Sequence, residues 1–176
     1  MDIEVPLLQT YVDGLDRALG GGIPRGSTVL VAGTPGTMKT SLILWMMHEN
    51  ARLNGVKSLY VSLEQDMDSL EALYALSEIK TPRREMFHFL SSIKELGLTT
   101  FLIAEQPFGS TRLAQWGEDF LADGILNLRQ VEVGETDVQL RLRCIKMRWM
   151  NHDHNALALN HDGQKFFVTH VISKKK

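Results

Sequence analysis

The sequence predicts an α/β fold with a mostly parallel central sheet, helices on both faces and an antiparallel strand extension at its C-terminal end. Three observations predict it. A β-branched apolar run, Ser27 to Ala32, is bounded by Gly26 and Gly33 and reads as a buried strand. An apolar helical stretch from Lys39 to Leu53 follows it, and a second strand-like run, Lys57 to Leu63, comes after Asn54-Gly55. Strand, helix and strand of this length form a βαβ unit, which implies parallel pairing. From Gly124 onward the pattern changes to strand-like segments joined by tight turns.

Each element has a local reason. In the first helix Leu42, Ile43, Leu44, Trp45, Met46 and Met47 are apolar nearly all round, which predicts burial against a sheet. Asn54-Gly55 stops it. A second helix is expected from Pro82 to Leu96, with Thr81 as N-cap, Pro82 in the first turn and Gly97 just past the end. Its apolar face is Met86, Leu90, Ile93 and Leu96, flanked by Phe87 and Phe89. Thr99 to Ala104 is the strand after it. Gly124–Val133, Asp137–Met147, Ala156–Asn160 and Lys165–Val171 read as strands, with turns at Gly134-Glu135 and Asp162-Gly163. No internal repeat and no linker interrupts the chain, so one domain over 1–176 is expected.

Composition narrows the function classes. The 176 residues are 44% hydrophobic and 23% charged, ordinary for a chain that can fill a core. Nineteen Lys and Arg against 21 Asp and Glu give a net charge of −2. That balance argues against a nucleic-acid partner, because nonspecific nucleic-acid binders are usually basic. One cysteine, Cys144, excludes an intramolecular disulfide framework and a CxxC metal site. The N-terminus carries no apolar leader, and no apolar run approaches the roughly 18–20 residues that cross a bilayer. No membrane association is expected, and the cytoplasm is the expected compartment.

The chemistry sits between the first strand and the first helix. Gly33-Thr34-Pro35-Gly36-Thr37-Met38-Lys39-Thr40 matches the phosphate-loop (Walker A) pattern G-x-x-x-x-G-K-S/T except at Met38, and Ser41 follows it as a further candidate cofactor-binding residue. Backbone N–H groups of such a turn wrap a phosphate, and the helix N-terminus adds positive potential. Lys39 would reach the β- and γ-phosphates of a nucleotide, and the Thr40 hydroxyl would bind Mg²⁺. Methionine at position 38 is costly if that site needs a positive φ, and harmless if its dihedrals are helical.

The flanks of this loop carry a resemblance. Thr10-Tyr11-Val12-Asp13-Gly14-Leu15-Asp16, then Leu19-Gly20-Gly21-Gly22-Ile23-Pro24-Arg25-Gly26, resembles T-G-I-x-G-L-D-x-x-L-G-G-G-I-P-x-G, with Tyr11 in place of the first glycine. That stretch precedes the phosphate loop in the KaiC-like branch of the RecA-type ATPases. Ser62-Leu63-Glu64-Gln65 resembles the family's S-x-E-E, and Phe120-Leu121-Ala122-Asp123-Gly124 and Lys146-Met147-Arg148 resemble its later signatures. The resemblance implies a RecA-like P-loop fold, ATP with Mg²⁺, and a ring, commonly a hexamer, with nucleotide at the subunit interfaces. It implies that Glu64 is the general base that orients water toward the γ-phosphate, with Gln65 replacing the second acid.

A stretch of the family pattern is missing. Asp68-Ser69-Leu70-Glu71-Ala72-Leu73-Tyr74 resembles the segment beginning at the family's Walker B aspartate, yet only Gln65, Asp66 and Met67 separate it from Glu64. No strand fits in three residues. A natural deletion, a spliced or mispredicted reading frame, and residues left out of the numbering all fit. By this matching Asp68 is the second Mg²⁺ ligand; the alternative is that Asp66 or Asp68 caps a helix through Leu70, Leu73 and Leu76.

Farther on, Val138, Leu140, Leu142 and Cys144 share one strand face, and Arg141 and Arg143 the other. Lys146 and Arg148 then fall on the apolar parity, so either a bulge shifts the phase near Cys144-Ile145 or these cations point into a partner surface. In the family the matching K-x-R reaches the γ-phosphate held by the neighbouring subunit, where positive charge stabilises phosphoryl transfer. His152 falls at the spacing of the family's histidine in the same block, although Trp149-Met150-Asn151 replaces its small residues. Glu105 lies where RecA-type ATPases place a polar sensor.

The expected function is therefore a ring-forming, KaiC-like regulatory ATPase with slow Mg-dependent hydrolysis and an unidentified protein partner. The rivals are a nonhydrolysing ATP-dependent assembly switch, a RecA-type recombination protein and an autokinase.

Overall fold

The computed structural model describes residues 5–60, 82–110, 112–113 and 118–171. Strands β1 (Leu7–Leu8) and β2 (Ile23–Pro24) form a small antiparallel pair that flanks helix α1 (Leu15–Ala18). The main sheet contains β3 (Thr28–Gly33), β4 (Thr100–Glu105), β5 (Gly124–Val133), β6 (Asp137–Met147), β7 (Leu157–His161) and β8 (Phe166–His170). Its order is β4-β3-β5-β6-β7-β8. β3 pairs in parallel with β4 on one side and β5 on the other, and every later pairing is antiparallel. Helices α2 (Lys39–Asn54), α3 (Pro82–Glu95) and α4 (Glu118–Leu121) complete the described elements.

The predicted strand over 57–63 differs. Lys57–Tyr60 are exposed and belong to no ladder, and 61–63 lie outside the described residues. Both edges of β3 are already taken by β4 and β5, so this segment has no place beside it. Leu59 is accordingly 84% exposed.

The faces of the sheet follow the period-2 rule. Val29 and Val31 of β3, Leu126 and Leu128 of β5, and Leu142 and Cys144 of β6 look toward α2, where Leu42, Ile43 and Met46 cover them. The apolar run of α2 narrows to a stripe at helical spacing, with Leu44 turned out. Each fully buried Leu, Ile or Met on it stabilises the fold by about 1.5–3 kcal/mol. Leu30, Ala32, Ala122 and Ile125 form a second cluster on the opposite face. Lys146, paired with Ile125, shares that face, and its ammonium donates to the Asp119 carbonyl of α4. α4 therefore lies on the side away from α2, with α3 against it. The face predicted for α3 is narrower than expected: Leu90 is buried, while Phe87, Phe89 and Leu96 are exposed.

Two predicted helix ends are realised. Gly55 caps α2 in the left-handed region and donates to the Ala51 carbonyl. Gly97, with φ 65°, follows α3 and donates to the Lys94 carbonyl. At the far edge the N-terminal segment covers β8: Asp13 donates to the Phe166 carbonyl and accepts from the Val168 amide.

Candidate functional site

β3 delivers the chain to its carboxyl end at Gly33, where a loop turns into α2. Gly33 has to be glycine, because a Cβ there would stand 2.2 Å from the Leu128 carbonyl oxygen. Gly36 has φ +78°, a conformation open to glycine. Thr37 is buried, and its hydroxyl donates to the Thr34 carbonyl, fastening the turn across itself. Pro35 and Gly36 are exposed at the tip.

Met38 is left-handed, with φ 61° and ψ 24°. The costly alternative foreseen for this residue is the one adopted. Its side chain escapes a clash by pointing outward, 41% exposed. The departures from the family's glycines and small residues share this conformation: Tyr11 has φ 56° and Trp149 has φ 64°. These are the three non-glycine residues of positive φ among those described. Each such conformation costs about 1–3 kcal/mol.

Lys39 opens α2 and is 6% exposed. Its ammonium donates to the carbonyls of Gly33 and Thr34, both at 3.0 Å, and lies 3.6 Å from a Glu105 carboxylate oxygen. Thr40 is half-buried and Ser41 exposed in the same turn. The N-cap residue contributes no side-chain hydrogen bond, and the first turn carries no acid. The orphan amides of a 16-residue helix, its positive end and a buried lysine thus converge on one turn. This donor set suits a phosphate chain, and the Thr40 hydroxyl suits a Mg²⁺ held beside it.

Next to the loop stands a polar network that the sequence did not reveal. Gln106, buried, donates its amide N–H to the Gly33 carbonyl at 3.0 Å and its side chain to the Arg112 carbonyl at 2.7 Å. Asn127 donates to the Gln106 side-chain oxygen and to the Ala32 carbonyl. A polar residue two places after the run Thr99 to Ala104, and one inside the apolar run of β5, were the available signals.

Lys146, Arg148 and His152 are not brought to this loop. The bulge is present: β5 and β6 shift register between Ile125 and Leu126, opposite Cys144 and Lys146. The shift moves Lys146 off the face of Leu142 and Cys144. Its ammonium donates to the Asp119 and Ala122 carbonyls, and desolvation first, then the neighbouring Arg148 charge, holds its pKa below the usual lysine value. Arg148 donates to Asp123 at 3.0 Å, and Lys94 donates to the same oxygen at 2.9 Å. The other Asp123 oxygen accepts from the Thr28 amide. Burial pushes the Asp123 carboxyl up, but the Thr28 amide and the two cations outweigh it, and its pKa lies below the ordinary value. Arg148 is thus at the Thr28 end of β3, about 17 Å of strand from Gly33. His152 lies in the loop after β6, packed against α1, where Asp153 donates to the Ala18 carbonyl. Its ring is 4.5 Å from His154, and it lines a cavity of about 550 Å³ with Arg17 and His170. Glu64 and Asp68, the expected base and Mg²⁺ ligand, lie outside the described residues.

Comparison with known proteins places the chain. The family model described as "ATPase: KaiC" matches residues 8–72 and 66–161. The chain belongs to the KaiC ATPase family. The circadian clock oscillator protein KaiC of Parasynechococcus marenigrum is 22% identical over 216 aligned positions, covering 85% of this chain and 42% of that protein. The chain spans less than half the length of the KaiC relatives it matches. That alignment is longer than the whole chain, so the relative carries a stretch with no counterpart here. The two family matches meet at 66–72, where the missing stretch was expected. The DNA repair protein RadA of Mycobacterium tuberculosis is 50% identical over 56 residues, 32% of this chain and 12% of that protein. A crystal structure of a KaiC-like protein from Pyrococcus horikoshii superposes with a TM-score of 0.79 at 21% identity, covering 94% of this chain and 99% of the other. The fold is RecA-like, and membership of this family implies nucleotide binding. No described helix is long and apolar enough to cross a membrane.

Proposed function

We propose that this chain, as one ATPase unit, binds ATP with Mg²⁺ in the loop 33–41 and hydrolyses it slowly. The observation that carries the reading is the buried Lys39 ammonium, gathered onto the loop's own carbonyls at the uncapped start of α2. Those carbonyls hold it where the β- and γ-phosphates would take it over. The amides of Gly33, Thr34, Gly36, Thr37 and Met38 wrap the phosphates, with Pro35 shaping the tip, and Ser41 closes the site in the first turn. Thr40 and Asp68 hold Mg²⁺, which neutralises charge on the phosphate oxygens when bound. Glu64 accepts the proton of the attacking water. Lys146 and Arg148, with His152 contacting nucleotide, serve the site of the next copy in a homo-oligomeric, hexameric ring. The strand length between Arg148 and the chain's own loop supports action on a neighbour rather than in cis. An unidentified protein partner reads the state of the ring.

Lys39→Ala tests this reading. It is expected to remove measurable ATP binding in a titration with a fluorescent ATP analogue, and unchanged affinity in that variant would reject the loop assignment. A second reading, an assembly switch without hydrolysis, is favoured by the strained Met38 inside the loop. It predicts ATP-dependent association without phosphate release at high protein concentration.

A further inference from the structure

Three arginines stand together on the sheet face away from α2. Arg129 of β5 is paired directly with Arg141 of β6, and Arg143 lies two residues farther along the same face, opposite Asn127. Leu128, Leu142 and Cys144 point the other way, under α2. Among the described residues none of the three arginines forms an ion pair. The face continues over β7 and β8 through Ala158, Asn160, Phe167 and Thr169, none of them charged. Like charges directly opposite destabilise an antiparallel pair, because their Cβ atoms are only about 4.5–5.5 Å apart. A local rule broken with no compensation inside the fold points to compensation from outside it.

The arginines are also aimed. Arg129 and Arg143 are exposed and Arg141 is half-buried. Nε of Arg141 donates to the Gln139 side-chain oxygen at 3.0 Å, and Nε of Arg143 donates to the His154 carbonyl at 2.8 Å. These neutral acceptors fix both guanidinium groups and leave their terminal nitrogens without partners among the described residues. Two residues along a strand is about 6.8 Å. An extended peptide repeats its side chains at the same spacing, so carboxylates at alternate positions fall in register with both arginine forks.

We propose that this face docks an extended acidic segment of a partner protein, with Asp or Glu at alternate positions. Its carboxylates supply the charge that Arg129 and Arg141 lack, and the proposal does not depend on the nucleotide reading above. Single-stranded nucleic acid suits the face less well. It calls for stacking platforms, and Phe167, the aromatic side chain on this face, is half-buried and two strands from Arg141. The net charge of −2 offers no general attraction to a polymer of phosphates.

The test titrates the full chain with a fluorescent peptide of alternating glutamate and threonine, and with an oligothymidylate of equal charge. The peptide is expected to bind more tightly than the oligonucleotide and to weaken as salt rises. Arg129→Gln and Arg141→Gln should each weaken it fivefold or more. Lys57→Gln, which removes an exposed charge elsewhere, should stay within twofold of the wild type. Without peptide, both arginine variants should melt above the wild-type temperature. A wild type that binds no peptide overturns the proposal, as does unchanged affinity in the two arginine variants. Equal loss in Lys57→Gln also overturns it, since net charge alone would then be read. Tighter binding of the oligonucleotide assigns the face to nucleic acid instead. Arginine variants that melt at or below the wild-type temperature show no repulsion for a partner to relieve, and remove the basis of the proposal.

Discussion

At the Gly33 end of β3 the polar groups are main-chain carbonyls gathered around one lysine; at the Thr28 end they converge on one carboxylate. Lys39 is held by the Gly33 and Thr34 carbonyls, groups of a loop with its own strained residue, Met38. Asp123 is held by the Thr28 amide, Lys94 and Arg148, and so ties β3, α3, β5 and the end of β6 to one point. The first arrangement is one that a stronger anion can rearrange, since ammonium-to-carbonyl bonds yield to ammonium-to-phosphate bonds. The second joins two cations to one carboxylate inside the fold. Exchangeable contacts thus lie at one end of the strand and a shared ion pair at the other.

The largest test of that division is Asp123→Ala. It leaves two cations and a buried amide without their acceptor and is expected to cost about 3 kcal/mol in denaturant unfolding. The acid dependence gives the sign. The folded Asp123 carboxyl titrates below its unfolded value of about 3.9, so its contribution is fully present above that pH and is lost as pH falls through the folded pKa. Unfolding of the wild type should therefore steepen below about pH 4, and Asp123→Asn should flatten that limb. Equal acid dependence in the two proteins would show that the Thr28 end is not held by this charge.

How far the sequence reached differs between the same two ends. The loop was legible because glycine spacing and Lys39-Thr40 are local, and the strand and helix around it have their own periodicities. The bulge at Ile145 was legible as a broken alternation, since Lys146 and Arg148 fell on the wrong parity of an otherwise regular strand. Asp123 as a hub was not, because its partners Thr28, Lys94 and Arg148 are far apart in sequence and no spacing links them. The strand expected over Lys57–Leu63 failed at Lys57–Tyr60 for a related reason: periodicity says that a segment could pair, while the sheet decides whether an edge is free.

A middle-sized effect is expected at the loop. Met38→Gly removes the Cβ from a left-handed conformation and should raise stability by about 1 kcal/mol, after the extra chain entropy of glycine is subtracted. Met38→Val should lower it, because a β-branched residue tolerates positive φ worst. Thermal melts of the two variants check the sign. If Met38→Gly melts at or below the wild-type temperature, the loop carries no releasable strain.

Arg148→Ala is the smallest change in stability and the one that sharpens the comparison most. The Arg148 side chain is 44% exposed, and Lys94 still neutralises Asp123 when it is gone. Solvent screening therefore limits the loss to about 0.5 kcal/mol. If the cation also serves a neighbouring copy's nucleotide, phosphate release should fall about tenfold or more, because a positive charge on the transferring phosphoryl acts chiefly in the transition state. The two readouts separate its duties within one molecule. A variant that melts like the wild type and releases phosphate at the wild-type rate leaves Arg148 a bystander on Asp123, whereas a near-native melt with lost turnover assigns it to the next subunit. Mixing Arg148→Ala with Lys39→Ala chains then decides between neighbours, since a mixed ring regains sites in which an intact Lys39 meets an intact Arg148 and should recover part of the activity that neither variant shows alone.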